Sequence, residues 1–237
     1  EIVNSDWSSD VCSSDLFYLM QLAGGTFPSG GFSQSWGLET YVSEGKICDS
    51  STFSDFLEVY LEYTVGSCEG PLICEAYRLA GAGDIAALKE LEMLSCAVKV
   101  TGESRESALR MGKALLRIAA DMMDDELMKE LNDIYGRKGI SYPVIYGAVC
   151  GRLDTGLADA VRAYVFSTAN SLVQSALKLI PLGNTEAQKI LFDSAGLMEH
   201  VSELCMNTAI GEISNFCPAL DIAGIRHETL GVRLYMS

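Results

Sequence analysis

The chain has 237 residues, 49% of them hydrophobic, and carries 17 Lys and Arg against 32 Asp and Glu for a net charge of −15. That length builds one large domain or two small ones around a substantial core, and the composition is globular, not disordered. So acidic a chain is a poor partner for nucleic acid, whose binding rests on neutralising phosphates. Its apolar stretches are broken well short of the roughly 18 to 20 residues that a membrane span needs.

In chain order, residues 1–15 stand apart. Ser8-Ser9-Asp10 repeats as Ser13-Ser14-Asp15 around Cys12 without a helical or strand period, which reads as a disordered or artefactual tail. A short apolar helix, Leu16 to Leu22, then enters the Gly24–Gly31 loop, and residues 32–44 resume helically with Phe32, Trp36 and Tyr41 as candidates for burial. Residues 49–51 can cap the next helix. On it Phe53, Phe56, Leu57, Tyr60, Leu61 and Thr64 form one stripe at a 3.6-residue period. Gly70-Pro71 interrupts that pattern before a further helix to Leu79.

Asp84 is placed to cap residues 85–98. Residues 104–122 form a long helix with Met111, Leu115, Ile118 and Met122 along its apolar face, while Ala108 and Gly112 leave room for close approach. A short acidic helix follows around 125–135, and Pro143 suits the first turn of a helix to about Cys150. Residues 155–179 and 185–210 read as two long helices, and Leu220–Leu230 as a last one before the tail 231–237. No run alternates long enough for a strand. The expectation is an all-α single compact bundle of roughly nine or ten helices over residues 16–230.

A search for chemistry finds no catalytic site. There is no phosphate-cradling Gly-x-x-x-x-Gly-Lys-Ser/Thr and no Gly-x-Ser-x-Gly elbow, and the glycine doublets follow no strand. The histidines, His200 and His227, are far apart, and the eight cysteines form no Cys-x-x-Cys pair. Neither set makes a metal site, so no cofactor is expected, and the thiols suit a reducing, cytoplasmic setting as buried small hydrophobes. One patch stands out from the acidic background. Arg110, Lys113 and Arg117 share a face of the 104–122 helix, either solvated and paired with Glu106 or docking an acidic partner.

Five blocks in order carry a resemblance. They are Phe27-Pro28-Ser29-Gly30-Gly31-Phe32 leading into Ser35-Trp36-Gly37-Leu38-Glu39, then Arg110-Met111-Gly112-Lys113-Ala114-Leu115, then Pro143-Val144-Ile145-Tyr146-Gly147. Leu179-Ile180-Pro181-Leu182-Gly183-Asn184-Thr185 follows, and His227-Glu228 with Arg233-Leu234-Tyr235-Met236-Ser237 closes the chain. Together they resemble the UreF family of urease accessory proteins across residues 16–237. The chain departs from that family at Gln34, where His is common, at Lys113 for Arg and at Asn184 for Gln.

The resemblance implies a homodimer without catalytic activity. It implies that the chain joins a second accessory protein, UreD (UreH in some organisms), and recruits the GTPase UreG to apo-urease for nickel insertion. Carried over by position, it places Tyr41 and Arg233 on the GTPase-recruiting surface. Leu234, Tyr235, His227, Glu228, Arg110 and Lys113 are the further residues expected to meet a partner. The tail after Gly231 is too short to pack a helix of its own and is expected to be mobile or loosely docked in the free protein. A helical metal-dependent enzyme with a site invisible in sequence, or a general helical adaptor, are the alternatives.

Overall fold

The structure is a computed structural model that describes residues 13–236 apart from Thr26 and Ser29. Residues 1–12 of the expected tail, the Phe32 side chain and Ser237 lie outside the described residues. Every regular element among the described residues is helical, with no strand. They form α1 (Ser13–Ala23), α2 (Leu38–Ser43), α3 (Ser50–Tyr60), α4 (Gly70–Ala82), α5 (Ile85–Val98), α6 (Gly102–Met122) and α7 (Glu126–Tyr135). These are followed by α8 (Tyr142–Leu153), α9 (Leu157–Leu179), α10 (Asn184–Asp193), α11 (Ala195–Asn207) and α12 (Pro218–His227). A π-helical segment, Leu61–Glu69, joins α3 to α4, and single 3-10 turns lie at Gly31–Ser33 and Ile210–Glu212.

Helix starts follow local chemistry. Asp49 caps α3 as a capping box with Thr52, Asp84 caps α5 by accepting from the Ala87 N–H, and Asp125 caps α7 at Met128. Pro143 sits in the first turn of α8, where its missing N–H costs nothing.

The helix count exceeds the expected nine or ten, in part because residues 185–210 divide into α10 and α11 at Ser194. In the opposite sense, Gly70-Pro71 does not interrupt the chain, which stays helical from residue 50 to 82. Pro71 has no N–H for the carbonyl four residues back, that of Ser67. The turns before it widen to π winding, and the Ser67 carbonyl accepts from the Ser214 N–H at 3.0 Å instead.

The core forms where α8 lies against α4, with α9 and α11 closing one side. Ile73 and Ala76 of α4 are fully buried against Gly147 of α8. The small residues bring the two backbones together. A Cβ on Gly147 would stand 2.4 Å from the Ile73 carbonyl oxygen, and one on Gly151 equally close to that of Tyr77. On the π segment's side, a Cβ on Gly70 would fall into the Cys205 side chain of α11. The room expected at Gly112 is also used, against the Ile140 carbonyl of the loop before α8, not against a helix.

Cys68, Cys74, Cys150 and Cys205 are buried and Cys48 is exposed. Burial pushes the thiols of Cys68 and Cys150 up to about 12 and that of Cys74 up to about 11, and raises Cys205 as well. A thiol-reactive dye at neutral pH should therefore label Cys48 quickly and these four only on unfolding. Mass mapping that finds Cys150 or Cys205 labelled in the native chain would contradict this core.

Candidate functional site

The polar interior is organised by a carboxylate on α2. Trp36 and Gly37 both take left-handed backbone conformations, φ 49° and 85°, and this turn swings α2 so that Leu38, Glu39 and Thr40 face inward. Ala223 of α12 packs over Gly37, and the Thr40 hydroxyl donates to the Ala223 carbonyl at 3.0 Å. That contact sets the last turn of α12, with His227 in it, above Glu39.

His227 is fully buried. Its Nε2 lies 3.0 Å from Glu39 Oε2 and its Nδ1 2.8 Å from Glu103 Oε2. Glu103 belongs to the first turn of α6 and His227 to the last turn of α12, so each helix dipole favours the charge it meets. A doubly protonated ring donates to both carboxylates, whereas a neutral tautomer donates to one and leaves its other nitrogen facing an oxygen. Arg233 donates from Nη1 to Glu103 Oε1 at 3.0 Å. Two carboxylates thus face one guanidinium and one imidazole.

The C-terminal segment is bound into this group. Glu39 accepts from the Leu234 N–H at 2.7 Å and the Tyr235 N–H at 3.1 Å, and the Met236 N–H donates to the Ser33 carbonyl at 2.9 Å. Tyr235 is buried, with the Lys178 ammonium 5.7 Å from its ring centroid. The expectation of a mobile or loosely docked tail is overturned. A segment too short to form a helix is held because a buried carboxylate satisfies its backbone donors.

The other side of the segment faces out. Val232 and Leu234 are 84% and 69% exposed, Met236 is 48% exposed, and Arg233 keeps part of its side chain in solvent. Ile222 and Ile225 of α12 and Phe216 before it are also exposed. An apolar edge thus stands on a rigid polar base.

Among the residues expected to meet a partner, Arg233 and Leu234 are accessible here and Glu228 is exposed nearby. His227 and Tyr235 offer no surface, because the same carboxylate that holds the segment draws them inside. Tyr41 is half-buried, with its ring edge-on to Phe56 and Lys46 5.3 Å from its centroid. Burial, then the nearby Cys217 and Glu44, raise its phenol. Glu44 in turn holds Lys46 and Arg226. Arg110 and Lys113 are not drawn into this cluster. They line a groove between α6 and α7.

Sequence reasoning missed the organising role of Glu39 and Glu103. Glu39 was visible only as a motif letter, since nothing in one dimension marks a glutamate between Leu38 and Thr40 as buried. A second buried set was also missed. Lys99 Nζ lies 2.6 Å from Glu69 Oε1, and the Tyr164 hydroxyl donates to Glu69 Oε2 at 2.8 Å. Burial alone would lower the Lys99 ammonium, but the Glu69 carboxylate outweighs it and the net shift is upward. With both oxygens of Glu69 occupied, the set is a cross-link beside a cavity of about 110 Å³ rather than a free base. Among the described residues no three His, Cys, Asp or Glu converge as metal ligands.

The chain is also similar in sequence to known proteins. Residues 47–195 match the family described as UreF. The chain is 33% identical over 224 residues to the urease accessory protein UreF of Bacillus sp. (strain TB-90), covering 94% of this chain and 99% of that one. It is 30% identical over 227 residues to the UreF of Geobacillus kaustophilus (strain HTA426), covering 96% and 100%. With the UreF of Methylobacillus flagellatus it shares 32% over 230 residues, 95% and 99% of the two chains.

Proposed function

The chain belongs to the UreF family of urease accessory proteins, and from that premise we propose that it is a non-catalytic scaffold for urease maturation. With UreD (UreH) it recruits the GTPase UreG to apo-urease, to which nickel is delivered as cargo. The reading carries with it a homodimer in the cytoplasm. Phe166 of α9 and Phe192 of α10, 44% and 81% exposed, lie on the two helical stretches whose apolar residues exceed one stripe.

The observation that supports the scaffold reading best is the C-terminal edge. Exposed apolar side chains are costly unless something covers them, and here Leu234 and Val232 are held out by a backbone already pinned to Glu39. A partner meeting a pre-ordered edge loses less conformational freedom than one that must order it. In this reading Arg233, Leu234, Glu228 and Tyr41 meet partners, while His227 and Tyr235 act from inside by holding the edge in place.

The test is complex mass by light scattering with purified UreD and UreG. The double variant Arg233→Ala, Leu234→Asp should weaken GTPase recruitment about tenfold or more, as loss of a central contact does. Its helical far-UV spectrum should not change, and Tyr41→Ala should act in the same direction. Unaltered recruitment in the double variant would remove the C-terminal edge from the interface.

A further inference from the structure

The groove between α6 and α7 has a charge pattern that runs against the rest of the molecule. Arg110, Lys113 and Arg117 descend one face of α6, and Arg137, just past the end of α7, faces them. Asn132, Gly136 and Ala114 complete a floor without bulk, and Asp133 is the one carboxylate in the lining. Elsewhere Arg78, Arg152, Arg162, Arg226 and Arg233 each hold a carboxylate.

Arg110, Arg117 and Arg137 form no ion pair among the described residues, and the pairing with Glu106 that was one of two readings of this face is not made. Acids outnumber bases 32 to 17 in this chain, so three guanidinium groups left together without an ion pair, with Asp133 as the one acid beside them, stand out. Lys113 is spent on structure. Its ammonium donates to the Arg137 carbonyl at 2.9 Å and fixes the wall that carries Arg137.

We propose that this groove docks a carboxylate-rich segment of a partner protein. The inference rests on the scaffold reading for the class of its occupant, a protein, and adds a second docking surface on elements separate from the C-terminal edge. Planar guanidinium forks on two facing walls suit bidentate pairing with Asp and Glu side chains presented between them. At physiological ionic strength the Debye length is about 8 Å, so the acidic remainder of the surface does not cancel the field inside the groove. A long polyanion such as DNA would reach beyond it and meet that acidic remainder, which disfavours nucleic acid.

Fluorescence anisotropy of a labelled oligoglutamate peptide against the full chain tests this at physiological ionic strength. Saturable binding is expected, weakened about tenfold or more by Arg110→Glu with Arg117→Glu and also by Arg137→Glu. All three residues are exposed, so far-UV helicity should be unchanged. The Arg233→Ala variant should bind the peptide as the native chain does. No saturable binding, equal binding by the groove variants, or equal competition by a single-stranded oligonucleotide of matched charge would each overturn the proposal. Those outcomes would leave the C-terminal reading standing, because it is read from GTPase recruitment by the Arg233 variants.

Discussion

Replacing Glu39 with alanine should lower the thermal midpoint by about 10 °C and free the C-terminal segment. Glu39 accepts from the Leu234 and Tyr235 N–H groups and faces His227 Nε2, so its removal takes the acceptor from two backbone donors and the partner from a buried ring nitrogen at once. Breaking a buried pair costs roughly 3–5 kcal/mol. In a domain of this size each kcal/mol moves the midpoint by roughly 2–4 °C. Calorimetry reads the loss, and limited proteolysis beyond Gly231 reads the release. Glu39→Gln keeps one acceptor oxygen and should fall between the variant and the native chain. GTPase recruitment should drop with Glu39→Ala although residue 39 is buried and offers almost no surface of its own. An unshifted midpoint would mean that this carboxylate does not hold the segment.

The second large effect is expected at Gly147, with a sign opposite to helix propensity. In an open helix, glycine to alanine stabilises by up to about 1 kcal/mol. At Gly147 the new Cβ would stand 2.4 Å from the Ile73 carbonyl oxygen and 2.9 Å from Ala76 Cβ. A backbone carbonyl within α4 cannot rotate away, so α4 and α8 must separate along the main core contact. Gly147→Ala should therefore destabilise the chain by about 3 kcal/mol or more, at the upper end for overpacked cores. Gly81→Ala is the matched control, since nothing lies within 4 Å of a Cβ there. Chemical denaturation that placed both variants on the same side of the native chain would disprove the close packing of α4 on α8.

The sequence by itself determined the helical class, most of the helices and their capped starts. Apolar spacing and capping are local, and residues three or four apart already share a face. The stripe from Phe53 to Leu61 is buried as its period required, and Asp49 and Asp84 cap where they stand. The Arg110, Lys113 and Arg117 face was legible for the same reason. That Arg137 would face it, and that its arginines would form no ion pair among the described residues, was not, because both depend on how α7 packs beside α6.

The tertiary structure alone decided the rest. Gly70-Pro71 reads locally as a break, yet the helix continues because Ser214, far along the chain, takes the carbonyl that proline leaves unpaired. The tail reads locally as loose, yet it docks because Glu39 lies 195 and 196 residues before the N–H groups it binds. Burial of a charge is a property of what surrounds it, and the groups around Glu39 come from α2, α6, α12 and the C-terminal segment at once. No window of sequence holds them together; only the fold does.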